Sequence, residues 1–218
     1  MKFYPVNLDV EKKSCVVVGG GEVAFRKIRG LLAAGAKVEV IAPEVCPQVE
    51  ELFKRGEIFW TRENFSAEML GDETILIAAT NNPELNRQAA ESARAKKILV
   101  NVVNTTGGNI NIPSKIRYGD FLLTISTGGN SPAFSKFFRE MLEAELGENF
   151  GAGLKIISSR RREAKKILPN ARARKIFWQK ILTQETWQLL KDGKFDELEE
   201  KIDHALENFG VESQDGTD

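Results

Sequence analysis

Residues 14–24 read SCVVVGGGEVA, and this stretch decides the fold of the chain. A short β-branched run that ends in glycines is typical of a strand buried on both faces of a parallel sheet. The apolar spacing from Glu22 to Ala34 predicts a helix, and Gly35 ends that pattern. The glycines therefore lie between a strand and a helix in the order G-x-G-x-x-A, which in this context predicts a dinucleotide site.

Each small residue of this motif has a predicted role. Gly19 permits the tight turn, Gly21 lets the backbone approach a pyrophosphate, and Ala24 allows the helix to pack closely on the strand. The unpaired amides and positive dipole end of the helix would then face the phosphates. The alternative is that the glycines only turn the chain, but the complete strand–turn–helix context favours a ligand.

The alternation of strands and helices continues along the first half of the chain. Strands are predicted at 37–42, 57–61, 74–79 and 98–103, and helices at 44–55, near 66–70 and at 83–96. This order predicts an α/β fold with a Rossmann-type doubly wound parallel sheet, and an NAD-binding domain over residues 1–112. Two strands at 113–118 and 121–127 then form an antiparallel hairpin, a helix begins at Pro132 with Ser131 as its cap, and helical patterns alone follow residue 150.

The choice between NAD and NADP is left open by the sequence. The acidic residue usually found at the end of the second strand is absent, because Ile41 stands there. Glu39 and Glu44 are the two candidates. Glu39 alternates with buried valines, and Glu44 could equally be a charge at a helix start.

Three further segments could meet a ligand. Residues 77–81, IAATN, end the fourth strand at the carboxyl edge, where small residues leave room for a nicotinamide or simply pack. The loop 126–132, STGGNSP, offers hydroxyls, amides and a helix start that could hold a carboxylate, or it is a capped connection without a ligand. Asp120 is a candidate acid or base, although Gly119-Asp120 also suits an ordinary hairpin turn.

Composition limits the class of protein. Thirty-one basic residues balance thirty-one acidic ones, so no net charge favours nucleic acid or an anionic membrane. The two cysteines, Cys15 and Cys46, are far apart and accompany a single histidine, which argues against a resident metal site. The chain shows no export signal and no apolar run long enough to span a membrane, so a cytoplasmic location is expected.

Six segments together carry a family resemblance: VVVGGGEVAFRK (16–27), IAATNNPELN (77–86), NVVN (101–104), IPS (112–114), STGGNSPAFSKFFREMLE (126–143) and RARKIFWQKIL (172–182). In this order and spacing the chain resembles the Rossmann-type precorrin-2 dehydrogenases, including the N-terminal module of multifunctional siroheme synthases. The match extends over about residues 1–190. Each segment alone is weak, but the combination is specific.

The resemblance implies a homodimer that uses NAD to oxidise precorrin-2 to sirohydrochlorin, and in some members also inserts ferrous iron. It implies a dimerisation region at 113–149 and a C-terminal helical domain at 150–218. It further implies cofactor contacts by Glu22 and Val23 at the phosphates, Pro43 and Glu44 at the adenosine, and Thr80 and Val103 near the nicotinamide. The loop Thr127, Gly128, Gly129, Asn130 and Ser131 is then the expected substrate-binding segment.

One departure from the family pattern bears on the chemistry. Family members commonly carry a carboxylate after the Asn-Val-Val strand, regarded as the acid or base of both reactions, whereas this chain has Asn104. An amide cannot accept a proton near neutral pH. Asn104 is therefore expected to orient the macrocycle, dehydrogenation is the leading activity, and ferrochelatase activity is expected to be weak or absent.

Two other functions compete with the dehydrogenase. Asn104 leaves open a carrier or sensor that binds a nicotinamide or tetrapyrrole without chemistry. An unrelated small NAD oxidoreductase is the other alternative.

The segment 155–180 is strongly basic. It either attracts a polycarboxylate substrate or pairs with the acidic segment 192–207 of a dimer mate. Its basic residues include Arg160, Arg161, Arg162, Lys165, Lys166, Arg172 and Arg174.

Overall fold

The chain forms two compact units, Met1–Ile112 and Pro113–Asp218. The computed structural model describes residues 3–103 and 107–212, the last three of them as backbone only. The boundary falls after Ile112, where the alternation of strands and helices gives way to the hairpin.

The first unit is a five-stranded parallel sheet in the order β3-β2-β1-β4-β5. Its strands are β1 (Ser14–Val18), β2 (Lys37–Ile41), β3 (Phe59–Thr61), β4 (Ile75–Ala78) and β5 (Leu99–Val102), and its helices are α1 (Glu22–Leu32), α2 (Pro47–Lys54) and α3 (Pro83–Ala95), with a single 3-10 turn at Ala67–Met69. The predicted Rossmann-type doubly wound sheet is confirmed.

The central strand β1 is buried on both faces, as its β-branched composition predicts. Val17 packs in the apolar cluster that contains Ala24 and Ile28 of α1. Val16 faces the opposite cluster, which contains Ala89 of α3. Full burial of one such valine stabilises the fold by roughly 1.5–3 kcal/mol. This two-sided burial fixes the end of β1, and with it the position of the glycine turn.

Helix α2 does not begin at the predicted residue, Glu44. The helix begins at Pro47, and Cys46 before it is extended, with φ −69° and ψ 158°. Proline disfavours the helical conformation of the residue before it, and its own missing N–H suits the first helical position. The start predicted at Glu44 is wrong by three residues, so Glu44 belongs to the loop between β2 and α2.

The outer edge of β5 is covered by the segment 107–112. Val100 is fully buried, and its N–H donates to Oδ1 of Asn109 at 2.7 Å. The backbone N–H of Asn109 in turn donates to the Val100 carbonyl at 2.9 Å. A side chain and a loop therefore replace the neighbouring strand that β5 lacks on this side.

We expect Asn109→Ala to lower the free energy of unfolding by about 1–3 kcal/mol, because the buried Val100 N–H loses its acceptor. Denaturant unfolding measures the loss. The matched control is Asn111→Ala, since Asn111 is exposed two residues further on, and its expected effect is within about 0.5 kcal/mol. Equal effects of the two substitutions would contradict the role given to Asn109.

The second unit begins with an antiparallel hairpin and continues as helices. It contains β6 (Ser114–Tyr118), β7 (Phe121–Ile125), α4 (Pro132–Leu146), α5 (Phe150–Ile167), α6 (Ala171–Ile181), α7 (Gln184–Asp192) and α8 (Phe195–Glu212). Gly119 turns the hairpin with φ +59°, and the cap predicted at Ser131 is confirmed by its bond from the Phe134 amide. The finer division of this unit at residue 149 stays a prediction.

The basic segment is partly engaged inside this unit. Arg160 on α5 binds Glu163, Glu199 and Asp203 at 2.8, 2.8 and 2.9 Å. These carboxylates raise the pKa of the Arg160 guanidinium, and the hydrogen bond that Arg160 donates to Glu163 is the largest cause. Arg160 therefore joins α5 to the acidic α8 of its own chain, rather than to that of a dimer mate.

Candidate functional site

The loops that follow β1, β2, β4 and β5 meet at the carboxyl edge of the parallel sheet. Hydrogen bonding continues one residue past the strands, since Gly19 N donates to the Ile41 carbonyl at 3.0 Å and Val103 N donates to the Ala78 carbonyl at 2.9 Å. The strand order reverses direction at β1 and β4, which makes this edge the crevice where open α/β sheets bind ligands.

The first two glycines of the turn are required by close packing. Gly19 has φ +113°, and a Cβ there would lie 2.6 Å from the Ala79 carbonyl oxygen. A Cβ on Gly20 would overlap the Glu44 carbonyl, and the Gly20 carbonyl accepts from Cys46 N at 2.8 Å. The turn is therefore held between the loop after β4 and the loop after β2.

The third glycine has a different environment. Apart from its two chain neighbours, no residue in the described part of the chain lies within 4 Å of a Cβ placed on Gly21, and its φ of −83° is open to any residue. Gly21 is the N-cap of α1 and offers no side chain to the helix start. The first amides of α1 have no intrahelical acceptor, so they present donors and a positive dipole end beside open space. This cradle fits the pyrophosphate of a dinucleotide.

The structure separates the two acidic candidates. Glu39 pairs with Phe59 in the middle of the sheet and accepts from Thr61 Oγ1 at 2.7 Å. Glu44 lies exposed after the end of β2, next to exposed Pro43. Glu44 is thus the acidic residue at the carboxyl edge, and its contact with adenosine stays a prediction. Glu22 at the start of α1 accepts from Gln48 Nε2 at 2.9 Å, which joins α1 to α2.

Thr80 is bound by the buried side chain of Asn86, and its hydroxyl is also bound by the backbone N–H and carbonyl of Asn82. Asn86 is 3% exposed, and its Oδ1 accepts from Thr80 N at 3.1 Å and from Thr80 Oγ1 at 2.7 Å. Its Nδ2 donates to the Thr80 carbonyl at 3.0 Å. Every polar group of Thr80 is therefore within hydrogen-bonding distance of a single amide. The sequence analysis did not single out Asn86, although an asparagine on the alanine-rich buried face of a helix is itself a signal.

The loop Thr127–Ser131 belongs to the second unit. Gly128 and Gly129 have φ +66° and +90°, and Asn130 N donates to the Thr127 carbonyl at 3.2 Å. The Thr127 hydroxyl accepts from Ser131 N at 3.0 Å. These hydroxyls organise the loop at the start of α4, and binding of substrate there stays a prediction.

The remaining predicted residues are less informative. Asn104 lies outside the described residues, and Asp120 is exposed in the turn of the hairpin, so its catalytic role stays a prediction. Across residues 3–103 and 107–212 no group of three or more His, Cys, Asp and Glu side chains could hold a metal ion. Within the same ranges no helix has the length and apolar character needed to cross a membrane.

The first unit thus brings together all eight predicted cofactor residues at one edge: Gly19, Gly21, Glu22, Val23, Pro43, Glu44, Thr80 and Val103. Gly20 and Asn86 are the residues that the sequence reasoning missed. The sequence did carry a signal for Gly20. The G-x-G pattern allows any residue at the middle position, so a third glycine there indicates an additional constraint.

Comparison with known proteins agrees with both units. Residues 6–114 match the family described as "Putative NAD(P)-binding". Residues 149–206 match the "Sirohaem synthase dimerisation region", which covers most of the segment predicted as a C-terminal helical domain. The assignment of dimerisation to residues 113–149 stays a prediction.

Full-length relatives are similar over nearly the whole chain. A siroheme synthase of Photorhabdus laumondii is 33% identical over 215 residues, which cover 98% of this chain and 46% of that protein. A siroheme synthase of Chromobacterium violaceum is 36% identical over 183 residues, which cover 84% of this chain and 39% of that protein. The chain therefore spans less than half the length of these curated relatives.

Among solved structures, SirC, a precorrin-2 dehydrogenase, superposes with a TM-score of 0.75 at 29% sequence identity. The match covers 91% of this chain and 100% of the SirC chain. The similarity thus extends over both units and the whole of that structure.

Proposed function

This chain belongs to the precorrin-2 dehydrogenase and siroheme synthase family, and on that premise we propose that it oxidises precorrin-2 to sirohydrochlorin. Its first unit is an NAD(P)-binding domain with NAD as the cofactor. The reaction converts precorrin-2 and NAD⁺ to sirohydrochlorin, NADH and a proton. NAD supplies the hydride acceptor when it is bound.

The observation that carries this proposal is the open cradle at Gly21. The unpaired amides at the start of α1 hold the pyrophosphate, while the turn at Gly19 and Gly20 is fixed by its neighbours. Glu44 lies at the adenosine end and Thr80 at the nicotinamide end of the same edge. These residues bind and orient the cofactor, so the rate gain from this unit comes from positioning.

The substrate is proposed to meet the loop Thr127–Ser131 of the second unit. Its glycines and the start of α4 suit carboxylates, and the macrocycle carries many of them. The exposed basic residues Arg161, Arg162, Lys165 and Lys166 of α5 add positive charge that attracts a polyanion. Arg160 is engaged with α8 and is not part of this proposal.

Asn104 limits the chemistry. Metal insertion must remove two pyrrole protons, and an amide accepts neither, whereas the hydride transfer depends chiefly on positioning. We therefore propose dehydrogenation as the activity and only weak ferrochelatase activity. Asn104 orients the macrocycle by hydrogen bonding in this proposal.

We expect Asn104→Asp to raise the rate of cobalt or iron insertion into sirohydrochlorin by at least about tenfold, because a positioned base contributes roughly 10²–10⁴-fold. The absorption change on insertion measures it. Asn208→Asp, at an exposed position of α8, is the control for an added carboxylate and should leave the rate of metal insertion unchanged. Rapid insertion by the unmodified protein that survives Asn104→Ala would contradict this account.

We also propose that two copies pair. Phe134, Phe137 and Met141 expose 53, 60 and 45% of their surfaces along α4, and Leu122 on β7 exposes 44%. The positions i, i+3 and i+7 share one helix face, and an apolar face of this kind supports an interface within 113–149. The dimerisation region matched by residues 149–206 supports the pairing of two copies, but it lies outside this apolar face. A cytoplasmic location is proposed as well, since Cys15 and Cys46 are unpaired.

The test is an anaerobic assay of the purified protein with precorrin-2 and NAD. The proposal predicts NADH formation together with the sirohydrochlorin spectrum. Saturable binding of both ligands without turnover would replace it by a carrier or sensor. Binding of NAD with no affinity for any tetrapyrrole would indicate an unrelated oxidoreductase.

A further inference from the structure

We propose that Asn86 is a positioning residue for NAD, which acts by holding Thr80 at the carboxyl edge of the sheet. This inference rests on the proposed function, because Thr80 is taken to meet the nicotinamide end of the cofactor. Asn86 itself is buried and is not expected to touch the ligand.

The side-chain cap of the helix start is not provided by Asn86. Asn82 caps α3, since its Oδ1 accepts from the amides of Glu84 and Leu85 at 3.0 and 3.2 Å. Pro83 at the next position has no N–H to satisfy. The polar atoms of Asn86 are therefore free to bind the loop before the helix.

The burial of the Asn86 amide on an apolar helix face indicates the role of this side chain. The other buried residues of α3 are Ala89, Ala90 and Ala93, and a buried amide is unfavourable unless its hydrogen bonds are made. Asn86 makes three, all to Thr80. Two of the three bonds fix the backbone of Thr80, and the third fixes its hydroxyl.

Holding Thr80 also holds the wall of the dinucleotide cradle. A Cβ on Gly19 would lie 2.6 Å from the Ala79 carbonyl oxygen and 3.1 Å from Thr80 N. The glycine turn thus packs directly on the segment that Asn86 fixes. A shift of Thr80 would displace the nicotinamide end of the site and loosen the support of the turn.

The test is a double-mutant cycle on NAD affinity, measured by calorimetry on the full chain. Asn86→Ala and Thr80→Val are each expected to raise the dissociation constant about tenfold, and the double variant should lose less than the sum of the two single losses, because either substitution removes the bond from Thr80 Oγ1 to Asn86 Oδ1. Thr80→Ser keeps the hydroxyl that donates to Asn86 and should lose less NAD affinity than Thr80→Val. In the assay the KM for NAD should rise while the KM for precorrin-2 stays constant.

Ala90→Gly is the matched control, because it weakens the same buried helix face one turn further on. It should lower the unfolding temperature and leave NAD affinity within about twofold. If Asn86→Ala does not fold, Asn86→Ser replaces it in the cycle, because a serine there is too short to make the three bonds to Thr80.

Several outcomes would overturn the inference. Unchanged NAD affinity in Asn86→Ala would make Asn86 a folding residue, and fully additive losses would show that it does not act through the Thr80 hydroxyl. If the unmodified protein binds no NAD, the proposed function fails and Asn86 loses its role. If it binds NAD but does not oxidise precorrin-2, the proposed function alone fails, because the cycle is judged on NAD affinity.

Discussion

Gly21→Val should weaken NAD binding at least about a hundredfold and leave the fold intact. A hundredfold loss corresponds to about 2.8 kcal/mol of binding free energy. Among residues 3–103 and 107–212, no residue apart from the two chain neighbours of Gly21 lies within 4 Å of the added Cβ, and φ −83° with ψ −175° is a conformation that valine adopts readily. The new side chain enters the space through which the pyrophosphate reaches the amides of α1.

Calorimetry with NAD and thermal unfolding of the same sample together test this prediction. The unfolding free energy should change by no more than about 1 kcal/mol, the cost of a poorer helix N-cap. The control is Gly71→Val, because Gly71 lies in an exposed turn before β4. Gly21→Val with full NAD affinity would mean that the pyrophosphate does not lie against this turn.

Gly19→Ala, in contrast to Gly21→Val, should act mainly on stability. It should lower the free energy of unfolding by about 2–4 kcal/mol, because backbone strain and a steric overlap add together. At φ +113° a side chain is strained, and the Cβ would lie 2.6 Å from a backbone oxygen that cannot rotate away. Denaturant unfolding measures the loss.

Gly56→Ala separates the two causes. Gly56 has φ +70°, but within the described ranges an added Cβ would meet nothing within 4 Å beyond its chain neighbours, so only the strain applies, at about 1 kcal/mol. The excess of Gly19→Ala over Gly56→Ala is then the cost of the close approach to Ala79. Equal costs would show that the loop after β4 yields easily, and would remove the packing argument for Gly19.

Much of the first unit follows from local sequence. The β-branched residues of β1 require burial on both faces, and the glycines after Val18 can be placed between strand and helix without any tertiary information. The caps at Asn82 and Ser131 are likewise local, since each side chain binds amides two or three residues away.

The features that the sequence could not reveal depend on contacts between distant segments. The role of Gly20 requires the loop at Glu44 to lie over it, and the role of Asn109 requires β5 to lack a neighbour on that side. The three bonds of Asn86 to Thr80 are close in sequence, but their value depends on the burial of that helix face. The function came from the combination of motifs, because no single one specifies a substrate.

The blocked flank of β5 has a consequence for association between molecules. A foreign strand cannot add there while Asn109 occupies the Val100 N–H and carbonyl. The opposite flank is β3, which is three residues long and offers a short template for recruitment. Polymerisation through the sheet of the first unit is thereby discouraged on both sides, which favours assembly through the second unit instead.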